Sequence, residues 1–100
     1  MNKVILMGRL TRDVEMYGQK SKVARFSLAV DRTYGEDETD FFNCVSFGKQ
    51  AEFVEKYLKK GTKILLTGRL QNNNYEDKQG NKVTATQIIT EEIEFAESKK

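Results

Sequence analysis

The sequence predicts an all-β fold in which five strands close into a small barrel and one α-helix lies between strands 3 and 4. Residues 40–48 and 62–70 alternate as strands do, because successive side chains of a strand point to opposite faces. Between them Ala51, Val54 and Leu58 recur at the spacing of an amphipathic helix. A lone helix at this position in a chain of strands is the order of the five-stranded OB fold, so we predict an OB-fold barrel.

The first two strands are predicted at residues 3–12 and 22–32, joined by a polar connection. In the first strand Val4 and Leu6 share the face expected to meet the core, and Gly8 interrupts the strand where a barrel bends. The second strand is expected to turn four alternate residues toward the core: Ala24, Phe26, Leu28 and Val30.

The third strand, residues 40–48, carries Phe41 and Phe47 on one face, with Asn43 between them. Two phenylalanines on a face that also holds a polar residue indicate a working surface as well as a core. The sequence therefore leaves two alternatives for each ring, a place in the core or a place on the working surface.

The helix is predicted to span residues 49–60 and to stop at Gly61, because glycine tolerates a left-handed cap and lysines suit the negative end of the helix dipole. The next strand contains Gly68, which repeats the interrupting glycine of the first strand. A polar hairpin at residues 71–81 and a last strand at residues 82–95 complete the chain.

The length of 100 residues predicts one domain, residues 1–100, in which residues 96–100 are expected to be a flexible tail. No apolar run approaches the roughly 20 residues of a membrane helix. The N-terminus also lacks the pattern of a signal peptide. We therefore expect a cytoplasmic protein with no membrane partner. The single cysteine, Cys44, excludes an internal disulfide and is expected to be a buried thiol.

The residue types needed for catalysis and metal binding are missing. The chain contains no histidine, which excludes His/Cys zinc sites and Ser-His-Asp or Cys-His catalytic groups. Neither Gly8 nor Gly68 is followed by the Gly-Lys-Ser/Thr of a phosphate loop. Acidic clusters at residues 36–40 and 91–97 are expected to be solvated. We predict no enzymatic activity, no metal and no cofactor.

Aromatic and basic residues form the remaining functional pattern. Rings interleaved with lysine and arginine suit a flexible single strand of nucleic acid, since each base offers a π-face for stacking and cations follow the phosphates. A net charge of +2 is weak evidence by itself, so the positions of the basic residues matter more. The predicted stacking residues are Tyr34, Phe41, Phe47 and Tyr75. The predicted phosphate contacts are Lys3, Arg9, Arg12, Arg32, Lys49, Lys60 and Arg69.

Six short segments match a known family, in order and along nearly the whole chain. They are residues 1–13, 26–32, 40–45, 47–52, 57–61 and 68–71. In these segments the sequence resembles the bacterial single-stranded DNA-binding protein family. The resemblance implies an OB fold that assembles as a homotetramer and coats single-stranded DNA without sequence preference during replication, recombination and repair. It also implies that the same four aromatic residues stack on bases.

The sequence departs from the family pattern in several places. Val14 stands where the family usually has proline, and residues 72–74 are asparagines where relatives are often basic. Phenylalanine or tyrosine replaces the tryptophan of many relatives, which makes the stacking surfaces smaller. The disordered linker and acidic tip of the family are absent from the sequence, which is either a trimmed core or a short, tailless relative. Recruitment of other replication or repair proteins through such a tip is therefore not expected of these 100 residues.

Outward apolar residues predict self-association. Ile5 and Met7 are expected to point away from the core, and Phe42 is expected to point opposite to Phe41 and Phe47. Outward apolar side chains on strands tend to mark a pairing surface. The resemblance implies a homotetramer built on pairing of the first strands.

Two other function classes stay open at this point. The first is an OB module of another kind, such as a dimeric primosome or RNA-binding component, and binding to RNA as tight as binding to DNA would favour it. The second is an interaction scaffold, which failure to bind any oligonucleotide at low salt would favour.

Overall fold

The computed structural model describes residues 1–18, 21–32 and 38–96. Six strands and one helix follow one another within these residues. They are β1 (Val4–Leu10), β2 (Glu15–Tyr17), β3 (Val23–Asp31), β4 (Thr39–Phe47), α1 (Gly48–Tyr57), β5 (Lys63–Glu76) and β6 (Lys82–Phe95).

The sheet closes on itself. Its order is β1-β5-β6-β4-β3-β2, and a further pairing of β1 with β3 joins β1, β5, β6, β4 and β3 into a ring. Neighbouring strands are antiparallel except β4 and β6, which run parallel with Cys44 beside Ile88. Helix α1 lies between β4 and β5, the third and fourth strands of the ring in chain order. The predicted five-stranded OB-fold barrel is therefore confirmed.

Strand β2 is an addition that the sequence did not predict. It pairs with β3, where Met16 lies beside Ala24. Met16 packs against the core, while Glu15 and Tyr17 are exposed. An alternation over three residues beside Gly18 is too short to be distinguished from a polar connection, which is why the sequence pattern missed it.

Two glycines permit close approaches between neighbouring strands of the ring. A Cβ atom on Gly8 would lie 2.3 Å from the carbonyl oxygen of Ala29, and one on Gly68 would lie 2.3 Å from that of Ile89. Gly8 stands where β1 begins to pair with β3, and Gly68 stands at a bulge in the β5–β6 pairing. Both positions need a residue without a side chain, but β1 and β5 continue through them, so the prediction that a glycine interrupts the first strand is wrong. A glycine inside a strand can also mark a bulge, and that is what Gly68 does.

The bulge at Gly68 also changes which residues of β6 face the core. Leu66 pairs with Ile93 whereas Gly68 pairs with Thr90, so β6 contributes one extra residue. Because side chains alternate along a strand, the extra residue moves the inward-facing positions of β6 from odd to even numbers. As a result Ile93 and Ile88, on opposite sides of the bulge, pack into the same core.

The core is filled by the alternate residues that the strand patterns predicted, together with one side of α1. Its buried members are Leu10, Ala24, Phe26, Leu28, Cys44, Ala51, Val54, Leu58, Ile64, Leu66 and Ile88. Phe42 points opposite to Phe41 and Phe47, as predicted, but it packs against this cluster, so its assignment to an outward apolar surface is wrong. It shares the inward face of β4 with Cys44 and Ser46 because the three alternate along the strand.

Cys44 is buried, as predicted. Burial raises the pKa of its thiol to about 12, because the thiolate would lose its solvation in the core. The group therefore stays protonated at neutral pH and packs as a small apolar side chain.

Helix α1 ends earlier than predicted. It spans Gly48–Tyr57, and Leu58 follows in an extended backbone conformation that places its side chain in the core. Gly61, with a φ of 88°, belongs to the next turn and not to the helix cap. Its N–H donates to the carbonyl of Leu10 at 2.8 Å, which ties this turn to β1. Within the described residues, no helix has the length and apolar character needed to cross a membrane.

The predicted polar hairpin is an extension of β5 and β6 into a two-stranded ribbon. Pairing continues to Glu76 beside Lys82. The side chain of Asp77 closes the turn, because its Oδ1 accepts the backbone N–H groups of Gln79 and Asn81 at 2.9 Å each. The ribbon is therefore an ordered arm of the sheet that carries polar side chains away from the core.

We predict that Gly68→Ala destabilises the fold more than Gly80→Ala. The methyl group at position 68 would collide with a backbone carbonyl, at a cost of about 3 kcal/mol, the upper end of the usual overpacking range. Gly80 has a φ of 84° but open space around it, so alanine there adds only left-handed strain of about 1 kcal/mol. Urea denaturation of both variants measures the difference, and equal losses of stability would contradict the role given to Gly68.

Candidate nucleic-acid interface

An open cleft of about 470 Å³ lies between the outer surface of β3 and β4 and the β5–β6 ribbon. Asn43 of β4 and Arg25 of β3 line one side, and Asn73 and Tyr75 of the ribbon line the other. These segments are far apart in the sequence. The closed ring is what brings them together.

Cross-strand register determines which other side chains share the outer surface with the cleft. Directly paired residues of neighbouring strands point to the same side of a sheet. Two rows of paired residues end on phenylalanines of β4: Arg9–Ala29–Phe41 and Tyr17–Val23–Phe47. We call the combined surface the cleft face, and its main residues are Arg9, Tyr17, Arg25, Phe41, Asn43, Phe47, Arg69, Asn73 and Tyr75.

Phe41 and Phe47 are exposed on the cleft face. The exposed fractions are 66% for Phe41 and 51% for Phe47, so neither ring is a core residue. Both share the outer face of β4 with Asn43 because they are separated by even numbers of residues. Six residues of strand separate them by about 20 Å, a distance that several nucleotides of an extended single strand would bridge.

Tyr75 lies on a strand of the ribbon and not in a loop. It pairs with Val83, and about half of its surface is exposed. Alternation places Tyr75 on the same side of β5 as Asn73 and Arg69. The ring therefore faces the cleft from the side opposite to β3 and β4. The remaining predicted stacking residue, Tyr34, lies outside the described residues.

The cleft also contains a cluster that the sequence analysis did not assign to the site. The guanidinium carbon of Arg25 lies 5.1 Å from the ring centroid of Tyr17. The hydroxyl of Tyr17 donates to a carboxylate oxygen of Glu15, and the other carboxylate oxygen lies 3.5 Å from Arg12. The hydrogen bond to Glu15 raises the pKa of the Tyr17 hydroxyl, so this group stays a neutral donor.

Three of the predicted phosphate contacts lie on or beside the cleft face. Arg12 lines the cleft. Arg9 stands in the row of Phe41, and one of its Nη atoms donates to the carbonyl of Gly61 at 2.9 Å. Arg69 lies on the ribbon side of the face and donates to Oε1 of Gln71 at 2.8 Å.

The other predicted cations surround this surface less closely. Lys49 is exposed in the first turn of α1, two residues after Phe47. Lys3 precedes β1 and lies 4.0 Å from Glu91, while Lys60 is exposed in the turn that follows the helix.

Arg32 differs from the other predicted contacts because carboxylates already engage it. Its Nη2 atom donates to Asp40 at 2.9 Å, and its Nη1 atom donates to Glu38. The hydrogen bond from Arg32 lowers the pKa of the Asp40 carboxyl below its ordinary value. A phosphate at Arg32 would have to displace or join these two acids, so Arg32 is the weakest of the seven predicted contacts on geometry.

Sequence reasoning missed several residues of the cleft because their placement depends on register. Tyr17 and Arg25 are eight positions apart and meet only when β2 pairs with β3. The signal that could have found Tyr17 is the alternation of Glu15, Met16 and Tyr17, which over three residues is a weak one. Polar residues that also line the cleft are Asn43, Asn73, Thr86 and Gln87.

Comparison with known proteins assigns the family. The Single-strand binding protein family matches residues 1–96. The chain belongs to this family. It is 50% identical to a single-stranded DNA-binding protein of Fusobacterium nucleatum, an alignment that covers 99% of this chain and 69% of that relative. It is also 50% identical to single-stranded DNA-binding protein 1 of Staphylococcus aureus strain Mu50, over 99% of this chain and 67% of that relative.

Family membership confirms the resemblance that the six short segments indicated, and with it the OB-fold class. Proteins of this family bind DNA and are not enzymes, in agreement with the prediction of no enzymatic activity. Within the described residues, no three His, Cys, Asp or Glu side chains converge in a way that would hold a metal ion.

Proposed function

We propose that this chain binds single-stranded DNA without sequence preference on the cleft face and protects it during replication, recombination and repair. The observation that carries the proposal is the exposure of large aromatic rings on one surface that also holds arginines. In the free protein Phe41, Phe47 and Tyr75 each expose apolar ring surface to water. A base stacked on such a ring covers that surface and gains dispersion contacts.

Phosphate contacts supply the electrostatic part of the proposed binding. Arg9, Arg12 and Arg69 lie on or beside the same cleft face as the rings, and Lys49 follows Phe47 at the start of α1. For each phosphate neutralised on a single strand, the logarithm of the affinity falls by roughly 0.7 for every tenfold increase in salt concentration. Lys3, Lys60 and Arg32 are proposed as outer contacts. Affinity is therefore expected to fall steeply with salt.

The absence of sequence preference follows from the chemistry of the surface. Rings read the π-face that every base presents, and they do not read the base edges. Asn43 and Asn73 line the cleft with amide groups, which offer both a donor and an acceptor. An amide that rotates can meet the edge of any base. The proposed surface thus contacts the base faces and edges through groups that do not distinguish one base from another.

We also propose that the chain forms a homo-oligomer, a homotetramer, through pairing of β1 strands. Among the described residues, β1 pairs with β5 from Val4 to Arg9 but with β3 only at Arg9 and Leu10. The other edge of residues 4–7 is therefore open to another strand. Ile5 and Met7 are exposed on the outer face next to this edge and would be covered by a second copy.

Localisation and domain organisation follow the same proposal. A protein that coats DNA acts where the chromosome is, so we propose a cytoplasmic, nucleoid-associated location. The single domain predicted for residues 1–100 stays a proposal. The predicted flexible tail falls mainly on residues 97–100, which lie outside the described residues.

We predict that Phe41→Ala weakens binding to a dT oligonucleotide by about 1–3 kcal/mol, the usual range for one base–aromatic stack. The melting temperature should change little, because most of the ring is already exposed. Phe95→Ala is the matched control, since Phe95 is also exposed but packs beside Phe53, away from the cleft. Titration with dT oligonucleotides measures the affinities of the parent, Phe41→Ala and Phe95→Ala.

Equal affinity of Phe41→Ala and the parent would remove Phe41 from the base-binding surface. Failure of the parent itself to bind at low salt would contradict the proposed function. An RNA oligonucleotide of the same length serves as a further comparison, because equal or tighter binding to RNA would contradict a DNA-directed role.

We predict that the parent sediments as a tetramer at micromolar concentration. Ile5→Lys should shift it toward smaller species, because it places a charge on the surface that a second β1 strand would cover. Tyr57→Lys is the control, since Tyr57 is exposed on α1, away from the open edge of β1. A monomeric parent in analytical ultracentrifugation would contradict the proposed assembly.

A further inference from the structure

Tyr17 and Arg25 line the same cleft as Tyr75, although neither belongs to the residues predicted to bind DNA. We propose that Tyr17 is a further base-contacting residue of the cleft, which holds one nucleobase of the bound strand on the ring face that Arg25 leaves open. This inference rests on the proposed function, because it adds a subsite to the same DNA-binding surface.

The position of Tyr17 relative to the other rings supports this role. Tyr17 pairs with Val23, and Val23 pairs with Phe47, so the two rings lie on one side of the sheet with a single strand between them. Two strand spacings separate their backbones by about 10 Å. Tyr75 faces the same cleft from the ribbon. A strand that stacks on Phe47 and passes through the cleft therefore meets Tyr17 on its way.

Arg25 supplies a cation on one face of the Tyr17 ring. Its guanidinium carbon is 5.1 Å from the ring centroid, within the range of a cation–π contact. A planar guanidinium on one face leaves the other face for a planar base. Arg25 therefore acts as a positioning residue for the ring, and its charge adds to the positive charge of the cleft.

Glu15 and Arg12 hold the ring in a defined orientation before DNA binds. The Tyr17 hydroxyl donates to Glu15, and Arg12 pairs with the same carboxylate at 3.5 Å. The ring is thus restrained both at its hydroxyl edge and on one face. A contact that is already oriented loses less side-chain freedom on binding than a mobile one.

The cleft has room and chemistry for a base of any type. Its volume of about 470 Å³ exceeds the volume of one nucleobase, and its walls carry the amides of Asn43, Asn73 and Gln87. Amides present a donor and an acceptor to the base edge. The ligand of this subsite is therefore one base of a single strand, pyrimidine or purine.

The chain contains a matched control for this proposal. Tyr57 is 42% exposed against 46% for Tyr17, and the Lys56 ammonium lies 5.2 Å from its ring centroid. Both tyrosines therefore combine a half-exposed ring with a nearby cation. Tyr57 ends helix α1 and does not line the cleft. If exposure and a cation were sufficient for DNA contact, the two would behave alike.

The test compares Tyr17→Ala, Tyr17→Phe and Tyr57→Ala with the parent in titrations with dT and dA oligonucleotides. Tyr17→Ala should bind about 5-fold to 150-fold more weakly to both, the range of one lost stack. Tyr17→Phe keeps the ring and loses the hydroxyl anchor, so it should retain most of the affinity. Tyr57→Ala should bind as tightly as the parent.

A second measurement uses the parent alone, so it is independent of how the variants fold. The protein is irradiated with a dT oligonucleotide that carries 5-iodouracil, and the adducts are located by mass spectrometry. Adducts at Tyr17 and none at Tyr57 support the proposal. Full affinity of Tyr17→Ala, or adducts at Tyr75 without any at Tyr17, would overturn it while leaving the proposed function intact. A parent that binds no oligonucleotide would overturn both.

Discussion

The close approach of backbones at Gly8 and Gly68 is the constraint on which the rest of the structure depends. At Gly8 it lets β1, which stays paired with β5 as far as Arg9, also reach β3, which closes the ring. At Gly68 it accompanies the bulge that lets Ile88 and Ile93 enter one core although they are an odd number of residues apart. Without these approaches, β3–β4 and the ribbon would not face each other across a cleft.

Closure of the ring in turn separates the core from the working surface within single strands. In β4, Phe42 and Cys44 face inward, whereas Phe41 and Phe47 face outward. The same alternation in β2 buries Met16 against the core and exposes Tyr17. A sheet that is packed on one side leaves its other side free to carry rings, amides and arginines. The proposed binding surface is therefore a direct consequence of strand periodicity in a closed sheet.

Much of this could be predicted from the sequence because the relevant patterns are local. Apolar alternation identified the core faces of β1 and β3. The glycines marked the two close approaches between strands, although neither strand is interrupted there. The end of α1 could not be predicted in this way. Lys59, Lys60 and Gly61 look like a helix terminus, but the burial of Leu58 favours an extended residue one step after Tyr57. Local signals favour a longer helix there, but tertiary packing of Leu58 determines where the helix ends.

Residues of the candidate site could be predicted where exposure follows from alternation along one strand. They could not be predicted where a contact depends on the register between two strands. Exposure of Phe41 and Phe47 follows from alternation in β4, but the contact of Tyr17 with Arg25 follows from the pairing of β2 with β3. Arg32 shows that a residue predicted from the sequence can already be occupied by another partner. A basic residue in the right segment is engaged by Asp40, a contact that the sequence pattern of charges does not reveal.

The central claim is that single-stranded DNA occupies the cleft face. Hydroxyl-radical footprinting, with and without a saturating dT oligonucleotide, tests it most directly because it reports the solvent access of individual side chains. Bound DNA should protect Phe41, Phe47 and Tyr75 while leaving the oxidation of Tyr57 and Phe95 unchanged. Protection of Tyr57 and Phe95 with unchanged oxidation of the cleft-face rings would contradict the account.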